Sequence, residues 1–268
     1  MPAKPLRILI TNDDGMNADG LVVLERAAQR LGGEVYVVAP EIEHSAQSHA
    51  ITVRQPLFAR ELPKTHAEKL RVAVSGTPCD CVRLALIKLL DPMPDLCLSG
   101  VNHGGNMGWD VFFSGTVSAA AEAHSFGIPS VALSLASWQK ADWRGMDVLV
   151  AEFLRTLLAA KHSRPDYLYN VNIPPVPIAE IKGARLTRQE PTVKGDNFDQ
   201  RTAPDGRRYY WPTWDERKAA RDKVKDPAFD SAAVKQGFIS VTPLRYEVSV
   251  VDDPGAAAAL KDFKVSGQ

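Results

Sequence analysis

Short apolar runs alternate with segments of helical period through the first 135 residues of the chain. Arg7–Thr11 (RILIT) is an apolar run of the kind that a strand buried on both faces requires. Leu21, Leu24, Ala27, Ala28 and Leu31 then recur at helical spacing, and Gly32-Gly33 ends that helix. Val35–Ala39 (VYVVA) is a second strand, stopped by Pro40. A polar loop runs to residue 50, and Ile51–Leu62 reads as two short extended segments around Gln55-Pro56. The pattern next predicts a strand at Arg71–Ser75 and a helix over Thr77–Leu90, with Pro78 at its first position. A strand at Leu96–Ser99, a Gly-rich loop from Gly100 to Gly108, an Ala-rich helix at Thr116–Phe126 and a strand at Ser130–Leu135 follow. Past residue 140 the alternation occurs once more, as a helix at Met146–Lys161 and a strand at Tyr167–Asn172. Such an order defines an α/β fold: a mostly parallel sheet with helices on both faces.

Regular structure breaks at Pro174, Pro175 and Pro177. Residues 188–228 are polar, with aromatics in places and no helical period, while Gly237–Thr242 and Tyr246–Val251 are extended. The expected organisation is a core over 1–187, a β-rich arm over 188–250 whose strands return to the core, and a tail over 251–268. Arg201–Asp226 carries eight Lys/Arg, five Asp/Glu and the aromatics Tyr209, Tyr210, Trp211 and Trp214. Aromatics between basic residues can stack single-stranded bases, but interleaved acids blunt that signal. A dimer-forming arm or a lid is the more economical reading.

Composition bounds the partners. Lys plus Arg and Asp plus Glu both number 32, so the formal charge is zero. That balance argues against nucleic acid or an anionic membrane as partner, since both are held by surplus cations. A chain of 268 residues buries enough surface to fold without staples. Its three cysteines, Cys79, Cys81 and Cys97, form neither an even disulfide set nor paired metal knuckles. Leu6–Thr11 is too short for a signal peptide's apolar region, and runs such as Leu84–Leu90 fall far below the roughly 18 residues of a membrane span. These features point to a reduced, cytoplasmic setting without a membrane partner.

Ligands of open parallel sheets bind at the carboxyl ends of the strands. The first strand is followed by Asn12-Asp13-Asp14-Gly15, the second by a loop carrying His44-Ser45, and the fourth by Asn102-His103-Gly104-Gly105-Asn106. Adjacent carboxylates, a hydroxyl and a carboxamide thus reach one rim. These are hard oxygen ligands, suited to Mg2+, Mn2+ or Ca2+. Asp13-Asp14 also reads as a plain helix N-cap. A cation between the two acids would remove their repulsion. The Gly-rich segment matches neither GxGxxG nor GxxxxGK[ST], so the two common nucleotide loops lose support. It ends at Ser114-Gly115-Thr116 ahead of an Ala-rich helix, where free N–H groups attract a phosphate or simply take a cap. Gly76-Thr77-Pro78 reads as a capped helix start. His44, His49 and His103 make no zinc pattern such as HExxH. Cys79 and Cys81, two apart on a helix, point to different sides, so packing explains them better than redox chemistry.

RILITNDDG, the VVAP strand end, Ser45, SGTPCDCV and LSGVNHGGNMGWDVFFSGTVSAA together resemble the survival-protein SurE nucleotidases. NVNIP (170–174), RLTRQ (185–189) and GFISVTPL (237–244) are similar to that family's segments in the same order. The resemblance implies a Rossmann-like three-layer αβα core with a β-rich C-terminal arm, and dimers or tetramers held by exchanged C-terminal elements. It implies a metal-dependent phosphatase of nucleoside 5′- and 3′-monophosphates, with short polyphosphate as a further substrate of some members. On the matching positions it implies one divalent ion per subunit held by Asp13, Asp14, Ser45 and Asn102. Asn12, Asn106, Ser114, Gly115 and Thr116 are then expected on the phosphate side, with Asp13 or Asp14 acting on the attacking water. Adjacent acids also differ from the D-x-D spacing of aspartyl-phosphate enzymes. The chain departs from the family at Ala46-Gln47, where Gly-Ala is usual, at His103 to Gly105 within the Asn-Ala-Gly-Pro-Asn loop, and at Trp109, where an acid is common. Trp109 could offer a stacking face to a base. Two other readings remain at this point: a non-catalytic nucleotide-binding module on the same fold, and single-strand binding through the aromatic arm.

Overall fold

The computed structural model describes residues 4–137, 139, 141–160, 162, 165–191, 197–213, 223–246 and 253–261. Expectations for Trp214 and for residues 247–251 lie outside the described residues. β1 (Arg7–Thr11), α1 (Asp19–Arg30) and β2 (Glu34–Pro40) open the chain, followed by the short β3 (Ala59–Glu61) and by β4 (Leu70–Val74). α2 (Pro78–Leu84), β5 (Leu96–His103), α3 (Gly115–Ser125), β6 (Ser130–Leu135), α4 (Met146–Leu158) and β7 (Leu168–Ile173) continue the alternation. β8 (Ala184–Leu186), β9 (Asn197–Thr202), β10 (Arg208–Thr213), α5 (Asp230–Lys235), β11 (Ile239–Pro243) and α6 (Pro254–Leu260) complete it.

Nine strands form one sheet in the order β3-β4-β2-β1-β5-β6-β7-β11-β8. The six from β4 to β7 run parallel. β3 pairs antiparallel at one edge, and β11 lies antiparallel to β7 and parallel to β8 at the other. One buried cluster joins the sheet to α1 and α4, and a second joins it to α2 and α3. The layers are therefore helix, sheet, helix. β1 is apolar along its length because both of its faces are covered. From β1 the chain steps through β2 to β4 on one side, then returns to β5 on the other. The order reverses between β1 and β5, and there the carboxyl ends leave a crevice.

Three differences from the sequence reading have local causes. The fourth strand does not stop at Ser99. It bulges between Ser99 and Asn102 and pairs with β6 as far as His103. Gly100 permits this with φ +131°, where a Cβ would meet the Leu133 carbonyl oxygen at 2.2 Å. The helix expected to reach Leu90 is α2 followed by a wider π turn over Ala85–Leu89. In the segment Ile51–Leu62 only Ala59–Glu61 pairs as a strand. Beyond Glu190, β9 and β10 form a separate antiparallel hairpin, while β11 rejoins the main sheet.

Candidate metal and phosphate site

Asp13 and Asp14 follow β1 directly, at the reversal point. Neither caps α1, whose N-cap is Ala18 with no side-chain bond. The N-cap reading of the pair therefore fails for the helix that follows it. Asp13 is buried and faces the start of α3 instead. The Thr116 hydroxyl donates to Asp13 Oδ1, and the Thr116 backbone N–H also bonds this carboxylate. Gly115 makes the approach feasible, since a Cβ there would lie 2.8 Å from the Asp13 Cβ. Asp14 Oδ2 accepts from the His103 N–H at 3.1 Å, which ties β1 to the end of β5.

Burial pushes the Asp13 carboxyl up to about 6; the Thr116 bonds oppose the rise and the Asp14 charge adds to it. Asp14 is raised as well, first by burial, with the His103 N–H opposing and Glu43 adding. Among the described residues no Lys or Arg forms an ion pair with either acid. Glu43 was not singled out from sequence; it lies on a polar loop, and only the fold carries it to Asp14.

The loop after β2 reaches the rim through the His44 N–H, which donates to the Asp13 carbonyl at 2.8 Å. Ser45 on that loop is exposed and gives its hydroxyl to the Glu43 carboxylate, not to either aspartate. Asn102, near the end of β5, donates to the Gly104 carbonyl at 2.7 Å. The Asn12 side chain donates to the Gly15 carbonyl at 2.9 Å, and its buried Oδ1 has no partner. Ser114 caps α3 by accepting from the Val117 N–H at 3.0 Å. Asn106 is buried in a knot of side chains. Its N–H donates to Asn172 Oδ1 at 2.8 Å, its carboxamide donates to Ser134, and its carbonyl accepts from Asn170 and Asn172. Structure therefore gathers Asp13, Asp14 and Thr116 directly. Asn12, Asn102, Ser114 and Gly115 flank them, Asn106 is held behind, and Ser45 reaches the rim only through its loop.

The donor set fits a hard cation. Among the described residues the buried Asp13 and half-buried Asp14 carboxylates have no Lys or Arg counter-charge, and a buried carboxamide oxygen lacks a partner. Glu25, His66 and Glu68 form a second group that could hold a metal ion by ligand type and closeness. Arg71 already neutralises it, with Nη1 at 2.6 Å from Glu25 and 3.4 Å from Glu68. Other motifs resolve as structure. Thr77 and Asp80 form a reciprocal capping box at α2, and Cys79, Cys81 and Cys97 are free and buried. Burial pushes the Cys97 thiol up to about 12 and raises Cys79 and Cys81 too, the opposite of a reactive thiolate.

A doubly wound sheet with an acid pair at its reversal point, set against a helix start, defines a class: α/β proteins that bind small charged ligands at the strand ends. Comparison with known proteins narrows it. The family model of survival protein SurE matches residues 8–195, and the chain belongs to that family. It is 43% identical over 247 residues to the 5′-nucleotidase SurE of Synechococcus elongatus, covering 91% of this chain and 95% of that one. It is 44% identical over 251 residues to the 5′-nucleotidase SurE of Paramagnetospirillum magneticum, covering 92% and 93%. The crystal structure of the SurE protein from Aquifex aeolicus superposes with a TM-score of 0.80 at 32% identity, over 96% of this chain and all of that one. Among the described residues no helix is long and apolar enough to cross a membrane.

Proposed function

We propose that the chain is a metal-dependent phosphomonoesterase that converts nucleoside 5′-monophosphates to nucleoside and phosphate. Nucleoside 3′-monophosphates and short polyphosphate are further substrates under this reading. The observation that carries it is the Asp13-Asp14 pair, largely withdrawn from water and without a Lys or Arg partner among the described residues, at the strand-order reversal of a chain similar to 5′-nucleotidases. A non-catalytic nucleotide-binding module is disfavoured because curated relatives above 40% identity carry the nucleotidase name. The working unit is a homodimer or homotetramer in the cytoplasm.

Asp13, Asp14, Ser45 and Asn102 would hold one divalent cation per subunit, Mg2+ or Mn2+, with Ca2+ as another occupant. When bound, such an ion would supply Lewis-acid stabilisation for the charge that builds on the phosphoryl oxygens. The chain's own residues do the rest. Thr116 fixes the Asp13 carboxylate through its hydroxyl and N–H. No acceptor among the described residues takes the Gly115 N–H, which with the α3 dipole is left for a phosphate oxygen. Asn106 can join it: the Ser134 hydroxyl serves as donor or acceptor, so a half-turn of the carboxamide keeps that bond and frees Nδ2 for an anion. Asp14 is more open than Asp13, and only its Oδ2 is taken by His103. Asp14 Oδ1 is therefore assigned to orient the water and accept its proton as the water attacks phosphorus in line; the bond from phosphorus to the ribose oxygen breaks, and that oxygen takes up a proton from solvent.

Phosphate release from a panel of nucleoside monophosphates, with EDTA and with Mg2+ or Mn2+ restored, tests this reading. Release that stops on chelation and returns with metal is expected. Binding without release, unaffected by chelation, would overturn it in favour of the regulatory module. Binding of single-stranded nucleic acid that weakens steeply with salt would favour the arm instead.

A further inference from the structure

Between Asn106 and the α3 start lies a short 3₁₀ turn, Gly108–Phe112, that the chemistry above does not use. It carries Trp109, and Trp109, Phe112 and Phe113 are 41%, 45% and 44% exposed. Three large aromatics on one five-residue stretch are a costly way to face water. The Trp109 and Phe112 rings touch, with centroids 4.5 Å apart and planes tilted by 50°.

The turn is anchored from beneath. The Gly108 N–H donates to the buried Asp230 Oδ2 at 2.9 Å, and its carbonyl accepts from Gln189 Nε2 at 2.7 Å. Asp230 also takes the N–H groups of Glu190 and Ser231, so the anchor is itself held. The residue directly before Trp109 is thus pinned on both of its peptide groups. A ring on such a mount is pre-organised and loses little entropy on binding.

The turn also adjoins the rim. The Ser48 N–H and hydroxyl donate to the carbonyls of Phe113 and Phe112, at 2.9 and 2.6 Å. His44, four residues earlier, donates to Asp13. Four residues of extended chain span at most about 14 Å, comparable to a nucleotide from phosphorus to the far edge of its base. From the other side, Phe113 is three residues from Thr116, which touches Asp13. Trp143, also near the rim among the described residues, packs against the core and against His103 and is only half-exposed.

We propose that Trp109, backed by Phe112, is the platform on which the nucleobase of the substrate stacks. This rests on the nucleotidase reading and adds what recognises the base. Stacking offers a π-face to any base and needs no charge, so it fits a chain of zero net charge and a substrate class defined by having a base at all.

Steady-state kinetics with AMP and with ribose 5-phosphate, which keeps the phosphate and sugar but lacks the base, test the platform. Trp109→Ala should raise KM for AMP about tenfold, leave kcat within a few-fold, and leave ribose 5-phosphate unchanged. Trp109→Phe should recover most of the AMP affinity. In parallel, AMP should quench the tryptophan emission of the wild type and not that of Trp109→Phe. Equal losses for both substrates, or an unchanged KM for AMP, would overturn the platform. So would a Trp109→Ala protein that dissociates on size exclusion with its AMP affinity intact, because the patch would then belong to a second copy of the chain. If the wild type releases phosphate from neither ester, the nucleotidase reading fails, and the quench comparison alone decides for or against the platform.

Discussion

Asp13 and Asp14 differ from Glu25 and Glu68 in one respect that matters. Both groups are acids close to β1, buried except for the half-buried Asp14. Glu25 on α1 and Glu68 ahead of β4 share Arg71, which also reaches the Met16 carbonyl at 3.4 Å, just past the aspartates. Burial raises the Glu25 pKa, with the Arg71 charge pulling against it. Burial pushes Glu68 up as well, but the N–H groups of Thr65 and His66, with Arg71, bring it below its ordinary value. The aspartates have no guanidinium among the described residues, and both are raised. Glu25 and Glu68 serve the fold and are neutralised by it, whereas the buried Asp80 and Asp230 are held by hydrogen bonds from N–H groups and a hydroxyl. An acid pair left without a base at a ligand crevice is one that a cation from outside completes.

The contrast is easiest to break with Asp13→Asn. Turnover should fall by at least about a thousandfold, roughly 4 kcal/mol of barrier. The melting temperature should hold or rise, because a buried charge crowded by Asp14 has gone. Phosphate release and a thermal melt on one preparation check both, and near wild-type kcat would end the assignment. Arg71→Leu should do the reverse. It leaves the buried Glu25 and Glu68 without the guanidinium they share, at a cost of about 3–5 kcal/mol of stability by denaturant titration, while kcat of the folded protein stays within a few-fold. A variant as stable as the parent would mean that the guanidinium is not the counter-charge. Thr116→Val keeps the shape and removes the hydroxyl from Asp13. A hydrogen bond to a charged group is worth about 1.5–3 kcal/mol of stability, so denaturant titration should show a loss of that order, and kcat of the folded protein should drop roughly tenfold as the Asp13 carboxylate loses its anchor.

Much of this contrast is written locally in the chain. The period-2 and period-3.6 runs set out β1, α1, β2 and the α3 start, and strand-end logic then gathers Asp13, Asp14 and Asn102 without any side-chain geometry. What the sequence hides depends on distant partners. β5 extends to His103 only because Leu133 and its neighbours on β6 accept the bulge at Gly100. Glu43 has nothing local to mark it as a neighbour of Asp14. Ser45 shows the opposite: its loop is brought to Asp13, but its hydroxyl turns to Glu43, a rotamer choice that no spacing encodes. Arg71 was legible in principle, as a charge inside an apolar strand, yet its partner on α1 follows only from the sheet order.

The smallest expected effect tests the rule away from the crevice. Glu122 on α3 is buried, and its carboxylate meets His49 at 2.6 Å and Arg83 at 2.9 Å. The hydrogen bond from His49 comes first in holding its pKa below the ordinary glutamate value; burial opposes the shift, and Arg83 reinforces it. A carboxyl depressed in the folded state stabilises the protein above its unfolded pKa, and that stability is lost as pH falls through the folded value. Glu122→Gln should therefore cost about 1 kcal/mol at neutral pH, since the amide keeps part of the hydrogen bonding and loses the charge. The gap between parent and variant should close as pH drops below the glutamate range, because the parent's carboxyl is then neutral as well. Melting curves of the two proteins across that interval check the sign. A gap that widens toward acid would show that Glu122 is held as a neutral acid, and that His49 and Arg83 do not supply its counter-charge.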